Sequence, residues 1–85
     1  MTMIDWELMT TVIRDWAAFN GVDPNEFAKR TEYSYQHSWN LLRGQTQARD
    51  ETLGRIALGF DTEALQDILG EYSLRLGDGS LATNL

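Results

Sequence analysis

Apolar side chains recur along the opening stretch at Leu8, Met9, Val12, Ile13, Trp16 and Phe19. This is the period of an amphipathic helix and predicts one from Asp5 to Asn20. Asp5 or Thr2 can cap its start, and Asn20-Gly21 tolerates the left-handed geometry that stops a helix. Trp6 and Trp16 read as core or core-edge residues. The following stretch predicts two short helices with a tight turn between them. Asp23 is a suitable N-cap and Pro24 falls at the first helical position, where its missing N–H costs nothing. Phe27 and Ala28 face inward, and Ala28 is small enough to let a second helix cross closely. Thr31-Glu32-Tyr33 forms the turn, and Ser34 caps a helix from Tyr35 to Arg43 that Gly44 closes. Tyr35, Trp39 and Leu42 make an apolar stripe on that helix. Helices of this length, so joined, form a helix-turn-helix, whose second helix can enter a DNA major groove.

A polar loop, Gln45 to Arg49, leads into a fourth helix from about Asp50 to Phe60, with Leu53, Ile56, Ala57 and Phe60 inward. Asp50 and Glu51 suit the positive end of its dipole. Gly54 and Gly59 weaken it unless close packing requires them. Asp61 or Thr62 caps a fifth helix carrying Leu65, Ile68, Leu69, Tyr72 and Leu76 on one stripe, ending at Gly77. Tyr72, Leu74 and Leu76 also alternate before Gly77-Asp78-Gly79, which fits a short β-hairpin. The fold class is therefore all-α. It is a compact five-helix bundle with the helix-turn-helix at helices two and three, forming a domain over 1–77. A loose C-terminal tail, or that hairpin, covers 78–85.

Composition changes this picture little. The chain has 85 residues, 42% of them hydrophobic, which is enough for one small core. There is no cysteine, so no disulfide supplements it, which fits a cytoplasmic protein. No apolar run reaches the length needed to cross a bilayer, and the acidic start does not read as a signal peptide.

Charge changes the picture more. The net charge is −6, which opposes generic nucleic-acid binding. Between Phe27 and Arg49, however, Lys29, Arg30, Arg43 and Arg49 face only Glu32, giving +3 there and leaving −9 for the rest. No carboxylate occurs from Tyr33 to Arg49. An acidic chain that clears one stretch of carboxylates points that stretch at an anion.

The arrangement resembles the phage-repressor-like helix-turn-helix family, the Cro/CI or XRE type, over roughly Met9 to Leu69. Phe27-Ala28 looks like its apolar-Ala pair, and Leu41-Leu42-Arg43-Gly44 like the end of its recognition helix. Leu53, Ile56-Ala57 and Phe60 look like its following core helix. The chain departs from the pattern in three places. Glu32 stands where Gly is common, Pro24 stands where a phosphate-holding Gln is common, and Ser38 stands where a buried Ile or Val is expected. Either Ser38 takes the core position, or the turn is one residue longer and Trp39 fills it.

The resemblance implies a small transcriptional regulator reading a double-stranded DNA operator, as a homodimer. Gln36 and His37 lie on the half of the recognition helix that enters the groove in both registers, and Asn40 faces outward only in the first. A Gln can pair bidentately with adenine. Lys29, Arg30, Arg43, Gln45, Gln47 and Arg49 suit phosphate contacts, which position the protein without reading sequence. Tyr72, Leu74, Leu76 and Leu81 offer apolar surface for a dimer or partner contact. The rival expectation is a helix-turn-helix that grips a protein, as antirepressors, antitoxins or other inhibitors do, with Tyr35 or Trp39 as the anchor. One histidine, no cysteine and no Gly-rich loop after a strand predict neither enzyme nor metal centre, and no cofactor.

Overall fold

Asp5 opens the first helix: its carboxylate accepts the Leu8 N–H at 3.1 Å. The computed structural model describes residues 3–84, with side chains over 3–77. From Asp5 the chain runs through α1 (Trp6–Phe19), α2 (Pro24–Thr31), α3 (Tyr35–Leu42), α4 (Asp50–Gly59) and α5 (Thr62–Asn84). No strand occurs among the described residues.

Local chemistry accounts for nearly every boundary. Asp23, Ser34 and Asp61 each accept a first-turn N–H, from Glu26, His37 and Ala64 respectively, at 2.9, 3.0 and 2.7 Å. Two helices end in the same way. Gly21 (φ +68°) and Gly44 (φ +78°) take the left-handed conformation. The next residue's N–H then reaches back five positions, Val22 to the Ala17 carbonyl and Gln45 to that of Asn40, both at 2.8 Å. This is the Schellman closure, which satisfies carbonyls a helix end would otherwise leave free.

The C-terminal helix does not end at Gly77. It continues to Asn84, so helix replaces the tail or hairpin expected from residue 78 as far as 84, and Leu85 lies outside the described residues. Gly77 keeps a φ outside the left-handed region. A glycine inside a helix costs only about 1 kcal/mol, so without that left-handed turn it does not terminate one.

Met9, Val12 and Ile13 of α1, Phe27 of α2, Leu41 of α3, Ile56 of α4 and Ile68 and Tyr72 of α5 form one core. Trp6, Trp16, Leu53 and Phe60 pack at its margin, as the periodicity predicts. Phe19, Leu69 and Leu76 depart from it, being exposed. Phe19 is 90% exposed, because the α5 side chains that share its groove are Asp67, Glu71 and Arg75, which cannot bury an aromatic ring. Tyr72 is buried, and its hydroxyl accepts the Asp5 N–H at 2.7 Å, so it belongs to the core and not to a partner surface.

The α2–turn–α3 unit is held from behind by α4. A Cβ added at Gly59 would lie 2.6 Å from the Arg30 carbonyl carbon, so this glycine permits a close helix crossing. Gly54 has nothing near it. Arg55 of α4 donates to the Thr31 carbonyl at 2.9 Å and lies over the Tyr33 ring, bracing the turn.

Candidate nucleic-acid interface

The placement of α3 starts in the turn. Thr31 donates its hydroxyl to the Phe27 carbonyl at 2.7 Å, and Glu32 takes φ +65°, ψ +18° as the C-cap of α2. Glu32 thus adopts the conformation a glycine would favour, and the turn is not lengthened. Ser34 then starts α3 so that Ser38 and Leu41 point into the core. Trp39 does not fill it: the ring is half-buried, with the Arg43 guanidinium 4.6 Å from its centroid. Ser38 is fully buried and its Oγ has no hydrogen-bond partner.

This register sets what α3 offers to solvent. Gln36 is exposed and donates its side-chain amide to Asn40 Oδ1 at 3.1 Å. The two amides therefore stand together one turn apart, held by each other. Asn40 is half-buried, and its side chain meets exposed Gln36 on this outer side. The His37 ring rests against Tyr33, centroids 4.4 Å apart, which fixes its orientation. Tyr35 is half exposed.

Ion pairing sorts the cations into two groups. Arg30 pairs with Glu26 at 3.3 Å, Arg55 with Glu51 at 3.6 Å, and Arg75 with Asp15 and Glu71 at 3.0 and 2.9 Å. The Arg75 charge is strengthened by its hydrogen bonds, first to Glu71 and then to Asp15. Among the described residues, Arg14, Lys29, Arg43 and Arg49 have no carboxylate partner. Arg14 was not expected at the site, since nothing in the sequence separates it from an ordinary surface arginine on α1. Its guanidinium lies at the end of α3, with Nη1 2.6 Å from where a Cβ on Gly44 would sit. There a cation meets the negative end of the helix dipole and stands in one groove with Arg43.

The remaining candidates divide. Arg30 lies over the Phe60 ring at 4.9 Å and shares a groove with α1 and α5, so it is turned from α3. Lys29 is exposed on α2, and Gln45 just beyond α3. Gln47 and Arg49 are exposed beside Trp6 and Asp50, in the loop that Thr10 tethers by accepting the Ala48 N–H at 2.7 Å. Of the expected partner-surface residues, Leu74 (64% exposed) and Leu76 (37%) are open, while the Leu81 side chain lies outside the described residues. Two carboxylates stand near the start of α3. Glu32 is exposed just before it, and Glu51 lies 3.3 Å from the Tyr33 hydroxyl.

No described helix is long and apolar enough to cross a membrane. No family model matches the chain, and neither a curated protein nor a solved structure matches it.

Proposed function

We propose that the protein is a small DNA-binding regulator of the phage-repressor-like type that reads the major groove with α3. The observation that carries this reading is the segregation of charge. In a chain of net charge −6, three of the four cations without a carboxylate partner among the described residues stand at or beyond the C-terminal end of α3: Arg43 as its C-cap, Arg49 in the loop that follows, and Arg14 reaching it from α1. Between them α3 presents no carboxylate and a paired Gln36–Asn40 amide unit. A Gln held by its neighbour meets an adenine edge with less orientational freedom to lose. Arg43 and Arg14 contact phosphate at the far end of α3. Two copies joined through Leu74 and Leu76 of α5 would read half-sites one helical turn apart.

A second reading rests on Tyr35 and Trp39. They place aromatic surface on the same face of α3, of the kind that anchors protein interfaces. On that reading the protein is a modulator that grips another protein without touching DNA.

Fluorescence anisotropy with genomic fragments, then with the selected duplex, separates the two. A DNA reader loses affinity steeply between about 50 and about 200 mM salt. Gln36→Ala lowers discrimination between duplexes, whereas Arg43→Ala weakens all of them and flattens the salt slope by about one unit. Absence of duplex binding at micromolar protein overturns the first reading in favour of the second.

A further inference from the structure

The face opposite in charge to α3 holds a groove between α1 and α5. One part, of about 560 Å³, is floored by Val12 and Trp16. It continues past Trp16, Asn20 and Asp67, which line both parts, into a second hollow of about 270 Å³ that reaches Phe60. Trp16 and Phe60 meet edge to face at 5.1 Å, so the floor is a fixed aromatic surface. Phe19 stands at the rim almost fully exposed. Leaving such a ring in water forgoes the stabilisation that burying it would bring.

The walls are acidic. Asp15, Glu26, Asp61, Glu63, Asp67 and Glu71 line the two parts, against Arg30 and Arg75 alone. Both arginines are already committed, Arg30 to Glu26 and Arg75 to Asp15 and Glu71. The strip therefore keeps an excess of negative charge around an apolar floor. A second copy of this acidic chain docking the same face would set like charges against each other.

We infer that this groove is a docking site for a basic amphipathic helix of a partner protein. Its apolar face would cover Phe19 and Trp16, and its Lys or Arg side chains would meet Asp67 and Glu63. The inference does not depend on α3 binding DNA, because no α3 residue lines the groove.

The test uses the full chain and a synthetic helical peptide with Leu at i, i+3, i+4 and i+7 and Lys elsewhere, beside a scrambled peptide of equal composition. Amide chemical shifts map the site and tryptophan fluorescence gives the affinity. The expected result is saturable binding with shifts centred on Trp16, Phe19, Asn20, Asp67 and Glu71. The scrambled peptide should bind about tenfold more weakly, and Phe19→Ala should cost about tenfold in affinity. Phe19→Ala removes an exposed ring, so its thermal midpoint should stay that of the parent, which separates lost binding from lost folding. Equal affinity for both peptides, shifts centred on another face, or unchanged binding by Phe19→Ala overturns the proposal. So does a dimer in sedimentation that Phe19→Ala dissociates, since a second copy would then be the occupant.

Discussion

Two glycines in α4 should respond to alanine with opposite sign. Gly54 is exposed, and a Cβ there meets nothing within 4 Å. Gly54→Ala therefore gains only the helix-propensity difference, about 0.5–1 kcal/mol. For a domain of this size that is a rise of about 4–8 °C in Tm per kcal/mol. Gly59 lies on the α2 crossing. Its added Cβ would fall 2.6 Å from the Arg30 carbonyl carbon and closer still to the oxygen, both backbone atoms that no rotamer change can move aside. Separating α2 from α4 costs about 1–3 kcal/mol, as overpacking generally does, and the propensity gain is smaller at the last helical residue. Gly59→Ala should therefore lower Tm by several degrees. It should also loosen the seam where Arg55 holds the Thr31 carbonyl, and so weaken any ligand bound by α3, while Gly54→Ala leaves that ligand's affinity unchanged. Thermal and urea melts followed by far-UV circular dichroism measure both. If Gly59→Ala melts at or above the parent temperature, the α2–α4 crossing is wider than described and the account of how α3 is positioned fails.

Three further outcomes follow from the same turn and core. Ser38→Ala removes a buried hydroxyl without a partner and should stabilise the chain by about 1 kcal/mol in urea melts, a loss of stability being the contrary result. Glu32→Gly relieves a non-glycine residue at φ +65° and removes a carboxylate from the approach to α3. It should raise Tm by a few degrees and tighten duplex binding at low salt, and a lower Tm would show the turn is unstrained. Burial, the largest cause, raises the Tyr33 phenol above its ordinary 10.0, with Glu51 adding to the shift and the Thr52 hydrogen bond opposing it. The unfolded chain then releases this proton first, so stability falls as pH rises through 10 towards the folded-state value. Urea midpoints across that range should show the slope, and Tyr33→Phe should reduce it.

Except at the end of α5, helix boundaries were legible in the sequence because caps are local chemistry. Asp5, Asp23, Ser34 and Asp61 each needed only a neighbouring N–H, and Gly21 and Gly44 only a left-handed φ. The phase of α3 was not legible. The sequence left the core position open between Ser38 and Trp39, and the turn geometry at Glu32 and the Ser34 cap fix the helix rotation that leaves the small Ser38 inside. Periodicity marked the inward face of α1 but not where its cover ends, so Phe19 read as core. Tyr72 lay on the helical stripe of α5 yet was also offered as partner surface, since spacing along one helix does not reveal a hydrogen-bond partner 67 residues away. Arg14 reaches the end of α3 from another helix, a proximity that no spacing along the chain encodes.

The hydrogen bond from Asp5 to Tyr72 ties the earliest helix to the latest one. A nascent chain can cap α1 and close the α2–α3 turn soon after those residues emerge. It cannot dry the inner side of α1 until Ile68 and Tyr72 have left the ribosome, because they supply the opposite wall. Completion of the core therefore waits on residues 68 to 72, and a product truncated ahead of residue 72 is left with Met9 and Val12 in water and should be cleared by proteolysis rather than compete with the intact protein.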